Sequence, residues 1–278
     1  MLGHGSRRTA AVMCLLAALT GCGALGDVAE EVGKAAGEMA DPAVITEDAP
    51  FKGSPSEGFA DGIAGVEIPE AKAVGRFSAK DVRSAYQVSR RLLEAAYLDE
   101  KSLLGGKPEA YARLLDPEQR TFFLKNLDHE DVEKDTRGWV FSFAPGTTEL
   151  VGDVVKVKGK LSAAPGKDQD VGEMLVVTYE ARFVYAVRPA GEKNPVVRVM
   201  AYIKARHEFW RDEPGGRLRH WEGEEIDRWS AGTECDSPDR FHRPDFRFEG
   251  GDGPAQDAYS DEKAAPIKEG ECGTVEEI

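Results

Sequence analysis

Val177-Thr178-Tyr179-Glu180-Ala181-Arg182-Phe183-Val184-Tyr185-Ala186-Val187-Arg188 is the stretch that decides the fold. Val177, Tyr179, Ala181, Phe183, Tyr185 and Val187 share one face, and Thr178, Glu180, Arg182 and Arg188 share the other. Successive side chains point to opposite sides of a strand, so a period of two marks a long β-strand with one apolar and one polar face. A loop from Pro189 to Pro195 follows, and Val197, Val199, Ala201, Ile203, Ala205, His207 and Phe209 then repeat the alternation. Two long strands joined by so short a loop predict the backbone of a curved antiparallel sheet.

The same period extends outward in both directions. Upstream, Val155, Val157, Gly159 and Leu161 alternate with Lys156, Lys158 and Lys160, and Ala164 to Asp168 reads as a connecting loop. Trp139, Phe141 and Phe143 alternate ahead of the Pro145-Gly146 turn. Downstream, Pro214-Gly215-Gly216 turns the chain into a last strand from about Leu218 to Ala231. Its alternation is irregular around Trp221, Glu224 and Ile226, where a bulge is expected.

Before about Arg137 the period is helical. Ser78-x-x-Asp81 is a capping-box variant, with serine accepting from first-turn amides and aspartate at the positive helix end. Val82, Ala85, Tyr86, Ser89, Leu92, Leu93, Ala96 and Tyr97 then fall on one helix face as far as about Asp99. Gly105-Gly106 breaks the chain, and Pro108 opens a short helix through Leu115. Asp116-Pro117-Glu118-Gln119 starts a third, with Asp116 as cap, Gln119 reaching back and Phe122, Phe123 and Leu127 as its apolar stripe. Three helices followed by four to five long strands predict an α+β domain over residues 78–235, helices packed on one face of the sheet.

That element order resembles the NTF2-like, or cystatin-like, cone, in which helices plug the concave side of a strongly bent sheet. Element order and strand length carry the resemblance; no signature residue does. It implies a ligand in the cone mouth, lined by Tyr179, Phe183, Tyr185, Ile203 and His207, and the same residues are core if the helices fill the cone. Enzymes of that fold use an Asp/His pair inside the cone. His207, on the apolar face beside Phe209, is the histidine such a hydrolase or isomerase would pair with a nearby carboxylate, and a satisfied core histidine is the competing reading. Glu222 and Glu224 share one face of the last strand, Glu225 the other.

At the other end of the chain, basic Arg7 and Arg8 precede an apolar run from Thr9 to Leu19 that closes on Leu19-Thr20-Gly21-Cys22. A positive start, an apolar core too short to span a bilayer and a small-residue cleavage site describe a secretory signal over residues 1–21. The ending resembles a bacterial lipobox. The resemblance implies cleavage before Cys22, which becomes the first residue and carries acyl chains, palmitate among them. With its Ala, Gly and Arg usage, the chain also resembles uncharacterised lipoproteins of high-GC Gram-positive, actinobacterial-type bacteria. Residues 22–77, rich in Pro, Gly and acidic side chains, read as a flexible acidic tether; Phe51, Phe59, Ile63, Val66 and Ile68 leave open that part of it packs on the domain. Val28, Val32, Ala35 and Met39 allow a loose helix just beyond the lipid.

Charge narrows the partners. The chain carries 36 basic and 50 acidic side chains; without Arg7 and Arg8 the remainder is 34 against 50, a net charge near −16. Such a balance repels nucleic acid and anionic lipid, so membrane contact is expected through the lipid on Cys22. Arg240, Phe241, His242, Arg243, Phe246 and Phe248 interleave basic and aromatic residues, and with so few cations that run reads as a segment laid over the domain.

Of the four cysteines, Cys14 lies in the signal and Cys22 is the lipid site, leaving Cys235 and Cys272. In an oxidising compartment a bridge between them is expected, pinning the extension over residues 236–278, with two free thiols as the alternative. Its loop of roughly 38 residues is worth about 4 kcal/mol in the chain-entropy model. No metal-ligand spacing, nucleophile elbow or phosphate loop occurs, and no cofactor is expected. The sequence therefore points to a lipid-anchored protein of the extracytoplasmic membrane face that binds an envelope protein or small ligand, with the His207 enzyme as rival.

Overall fold

A computed structural model describes residues 45–278 except 214, 236, 248–252, 254, 261–272 and 276–277. The stretch read as a leader, Cys22 and the stretch expected to form a loose helix after it lie outside the described residues, as does Cys272.

The described chain begins with two short strands, β1 (Ala60–Asp61) and β2 (Val66–Glu67). Helix α1 (Ala79–Tyr97) starts at Ser78, whose side chain accepts from the Asp81 amide while the Asp81 carboxylate accepts from the Ser78 amide, a complete capping box. Val82, Ala85, Leu92, Leu93 and Ala96 are buried along it, and each large one contributes about 1.5–3 kcal/mol relative to exposure. Helices α2 (Glu100–Leu103), α3 (Glu109–Leu114) and α4 (Pro117–Asn126) follow. Then come β3 (Thr148–Leu150), β4 (Lys156–Asp168), β5 (Gly172–Pro189), β6 (Val197–Trp210), β7 (Arg219–Ala231), β8 (Ala255–Gln256) and β9 (Thr274–Val275).

Seven strands form one sheet, running β1-β4-β5-β6-β7, with β2 also on β4 and β3 on β5; β8 and β9 make a small parallel pair. This overturns the expected three helices on a cone of four to five strands. Nine strands and four α-helices are present among the described residues. The extra strands are two or three residues long, too short for any alternation to register. Two of them lie in the stretch read as tether: β1 pairs antiparallel and β2 parallel with β4, and Phe51, Val66 and Phe77 are buried. Gly65 makes the close approach possible, because a Cβ there would overlap the carbonyl of Val157.

Other local expectations change for identifiable reasons. Ala164 to Asp168 is strand, not loop: Pro165 opposes Leu175, and its missing N–H costs nothing where β4 is the sheet edge. Trp139, Phe141 and Phe143 form no sheet strand; the amides of Phe141 and Phe143 donate to Ala96 and Leu103 carbonyls near helix ends. The irregular alternation of β7 corresponds to two register shifts against β6, between Lys204 and Ala205 and between Ala205 and His207.

The central strands have two differently furnished faces. On the inner face, odd-numbered residues of β5 and β6 join α1 and the short helices in one core that includes Leu92, Leu93, Phe123, Phe183, Tyr185 and Phe209. The outer face carries a smaller core of Val184, Ala186, Met200 and Ala231 under Phe51 and Ala258. Residues 237–247 run past the inner core, where His242 stacks on Phe141 at 4.1 Å.

Candidate functional site

The residues the sequence offers for a ligand pocket are all brought together, and all are core. Tyr179, Phe183, Tyr185, Ile203 and His207 are between 0% and 3% exposed. Tyr97 of α1 lies flat on Phe183 at 4.5 Å, and Phe141 lies on Tyr185 at 5.1 Å. The Tyr185 hydroxyl donates to the Tyr97 carbonyl at 3.0 Å. The helices fill the space that a ligand would need.

At the β7 edge of the sheet a polar seam joins α4 to β7. Asp116 and Gln119 do not cap their own helix; they reach the sheet. The His220 amide donates to Asp116 Oδ2 at 3.1 Å and the Glu222 amide to Gln119 Oε1 at 3.2 Å. Two outward amides of β7 are thereby satisfied by side chains instead of a further strand. Asp116, 1% exposed, is compensated by Arg217 at 3.1 Å and Arg219 at 3.5 Å. The Glu222 carboxylate, opposite His207 in register, accepts from Tyr111 and, at 3.4 Å, from Tyr179. Burial, reinforced by the Glu222 carboxylate, raises the Tyr111 hydroxyl well above the ordinary phenol range.

His207 and Glu222 thus meet as an acid/base enzyme would require, but not in a working arrangement. His207 Nε2 is 3.9 Å from Glu222 Oε2, beyond hydrogen-bond reach, and Nδ1 has no partner among the described residues. Burial first, and His220 second, push the imidazole down to about 3. A base that weak does not take a proton near neutral pH, and at 1% exposure it meets no substrate.

Space is found on the outer face instead. A groove of about 860 Å³ runs over β5, β6 and β7 and is walled on its far side by residues 256–260 and 273–275. Its floor is built by strand register: Arg182 opposes Tyr202, which opposes Trp229. The Arg182 guanidinium sits 5.0 Å from the Tyr202 ring centroid, and the Tyr202 and Trp229 rings are 5.1 Å apart at 17°. Arg182, 6% exposed, donates to the carbonyls of Ala258 and Ser260 and so ties the wall to the floor. Burial, with Glu180 adding to it, pushes the Tyr202 hydroxyl up to about 12. One register step on, Lys160, Glu180, Lys204 and Asp227 oppose one another in alternating sign across four strands.

Sequence reasoning found none of these outer residues. Arg182 and Glu180 read as the solvent face, and Trp229 belongs to an irregular strand. The only available signal was a large aromatic, Tyr202, on a polar face. Cys235 is exposed and disulfide-bonded. Gly273, next to Cys272 in sequence, lines the groove together with Cys235. No cluster of His, Cys, Asp and Glu suited to a metal ion occurs among the described residues, and no helix among them is long and apolar enough to cross a membrane. No protein-family model, curated protein or solved structure matches this chain.

Proposed function

We propose that this is a lipoprotein held by acyl chains on Cys22 at the extracytoplasmic membrane face, and that it acts as a non-enzymatic binding module of the envelope. The observation that carries the binding role is the groove of about 860 Å³ over Trp229 and Tyr202, open where His207 is buried. Cavities of roughly 300–1,000 Å³ are the size that holds small ligands. The anchor rests on the leader and its Leu19-Thr20-Gly21-Cys22 ending, and the bridge from Cys235 is assigned to Cys272.

Each part has its own test. Labelled palmitate should enter the protein in its host and not the Cys22→Ala variant; equal labelling of both would remove the anchor. Alkylation without reductant should leave Cys272 unmodified in intact-protein mass spectra, and modification of Cys272 would reassign the bridge. Material recovered with the protein from native envelopes should be lost with Trp229→Ala. Equal recovery would move the binding surface elsewhere.

A further inference from the structure

We infer that the outer-face groove takes a neutral, polyhydroxylated ligand, a saccharide, with one sugar ring laid against Trp229; this deepens the binding reading above and rests on it. The first support is a flat apolar surface fixed in advance. Tyr202 is held between the Arg182 guanidinium and the Trp229 ring, and Arg182 is itself fastened to the Ala258 and Ser260 carbonyls. Tyr202 is 7% exposed, so Trp229, half-buried at the groove floor, is the ring left facing the cavity. An aromatic face carries partial negative charge and attracts the partly positive C–H bonds that line one side of a sugar ring. A platform already ordered loses little entropy on binding.

The second support is electrical. The groove is lined by the carboxylates of Glu180, Asp227, Glu234 and Asp257 and by the cations of Arg182, Lys204 and Arg228. Glu180 already faces Lys160 at 3.5 Å and Lys204 at 3.9 Å. An ionic ligand of either sign would meet like charge as well as opposite charge, and would disturb pairs already formed. Hydroxyls donate and accept alike, so a neutral polyol can bridge carboxylates and ammonium groups without bringing in a charge that must be desolvated. Thr233 and Thr274 also line the groove, the Thr233 hydroxyl hydrogen-bonded to that of Ser230 at 2.9 Å.

The test uses the full-length protein in detergent, with isothermal titration calorimetry against cellohexaose, mannohexaose and chitohexaose. A lysine-rich and a glutamate-rich decapeptide serve as charged probes, and pelleting with purified envelope polysaccharide separates a polymeric source from a free oligosaccharide. At least one hexasaccharide should give saturable binding heat, with an affinity that Trp229→Ala and Asp227→Ala each weaken by about tenfold or more, a loss of about 1.4 kcal/mol. Asp227 is exposed, so Asp227→Ala keeps the melting temperature of the parent and separates binding from folding. A Trp229-dependent response to a peptide, with none to any saccharide, overturns the saccharide while leaving the groove as the binding site. Saccharide binding unchanged in both variants overturns the groove itself.

Discussion

The two faces of β5 and β6 are made from alternate residues of the same strands, yet they are closed by different physics. On the inner face Val177, Phe183, Tyr185, Val199 and Phe209 are at most 1% exposed, and they pack against helices that precede the sheet in the chain. That closure comes from apolar area, which is non-directional and needs only matching shapes. On the outer face two arginines do much of the joining. Arg198, 6% exposed, donates to Pro50 and Ile278 carbonyls at 2.7 Å and to Lys52 at 3.0 Å, while Arg182 holds Ala258 and Ser260. Directional bonds to backbone carbonyls fasten distant segments along two lines and leave a groove between strands and cover. An apolar face closes completely; a face joined by a few charged hydrogen bonds keeps space in which a ligand can sit.

The contrast can be broken most forcefully from the inner side. Phe183→Ala removes a fully buried ring stacked on Tyr97 and should cost about 3–5 kcal/mol in urea unfolding. A cost below about 1 kcal/mol would mean that the inner face is not close-packed.

Acid should attack the inner face next. Burial holds His207 near 3 and His242, with Arg228 contributing, near 4, both below the ordinary 6.5. The unfolded chain therefore binds protons that the folded chain refuses. The stability from these neutral imidazoles is complete above about pH 6.5 and drains away as pH falls from there toward 4, by on the order of a few kcal/mol. Urea midpoints measured across that range should fall, and His242→Phe should flatten part of the slope. An unchanged slope would show that the imidazole is solvated.

Arg198→Ala should act on the outer face alone. It strands three carbonyls at a cost of roughly 2–3 kcal/mol, and amide exchange should quicken around residues 50–52 while α1 and β5 stay protected. Loss of protection in α1 would mean that the two faces unfold together. The smallest effect belongs to Lys160→Gln. Its partner Glu180 is 3.5 Å away, but the lysine side chain is 69% exposed, so thermal melting should register less than about 0.5 kcal/mol.

Much of the inner face could be read from residue patterns. The alternation from Val177 to Val187 became β5, and Ser78-x-x-Asp81 became the cap of α1, because both signals are complete within a few residues. The polar seam could not be read this way. Asp116 and Gln119 carry the spelling of a helix start, but the sheet edge at His220 and Glu222 offers their oxygens better-placed donors. His207 was visible as the odd residue of its strand, and the irregular alternation of β7 signalled a bulge; that the shifted register sets His207 opposite Glu222 yet too far for a hydrogen bond depends on where the two strands pair, which neither spells alone. The groove was less legible still. Arg182, Tyr202 and Trp229 are 20 and 27 residues apart in sequence and meet only through strand register.

By itself the sequence determined the long central strands and the capped first helix, since each depends on neighbours within a turn or a strand. Tertiary structure alone decided that residues 60–61 and 66–67 join the sheet, that the apolar face is filled, and that the polar face carries the open groove. The reason is distance along the chain: a strand's periodicity says which residues share a side, but what lies against that side is chosen by segments such as Phe51 and Ala258, more than 70 residues away from Arg182.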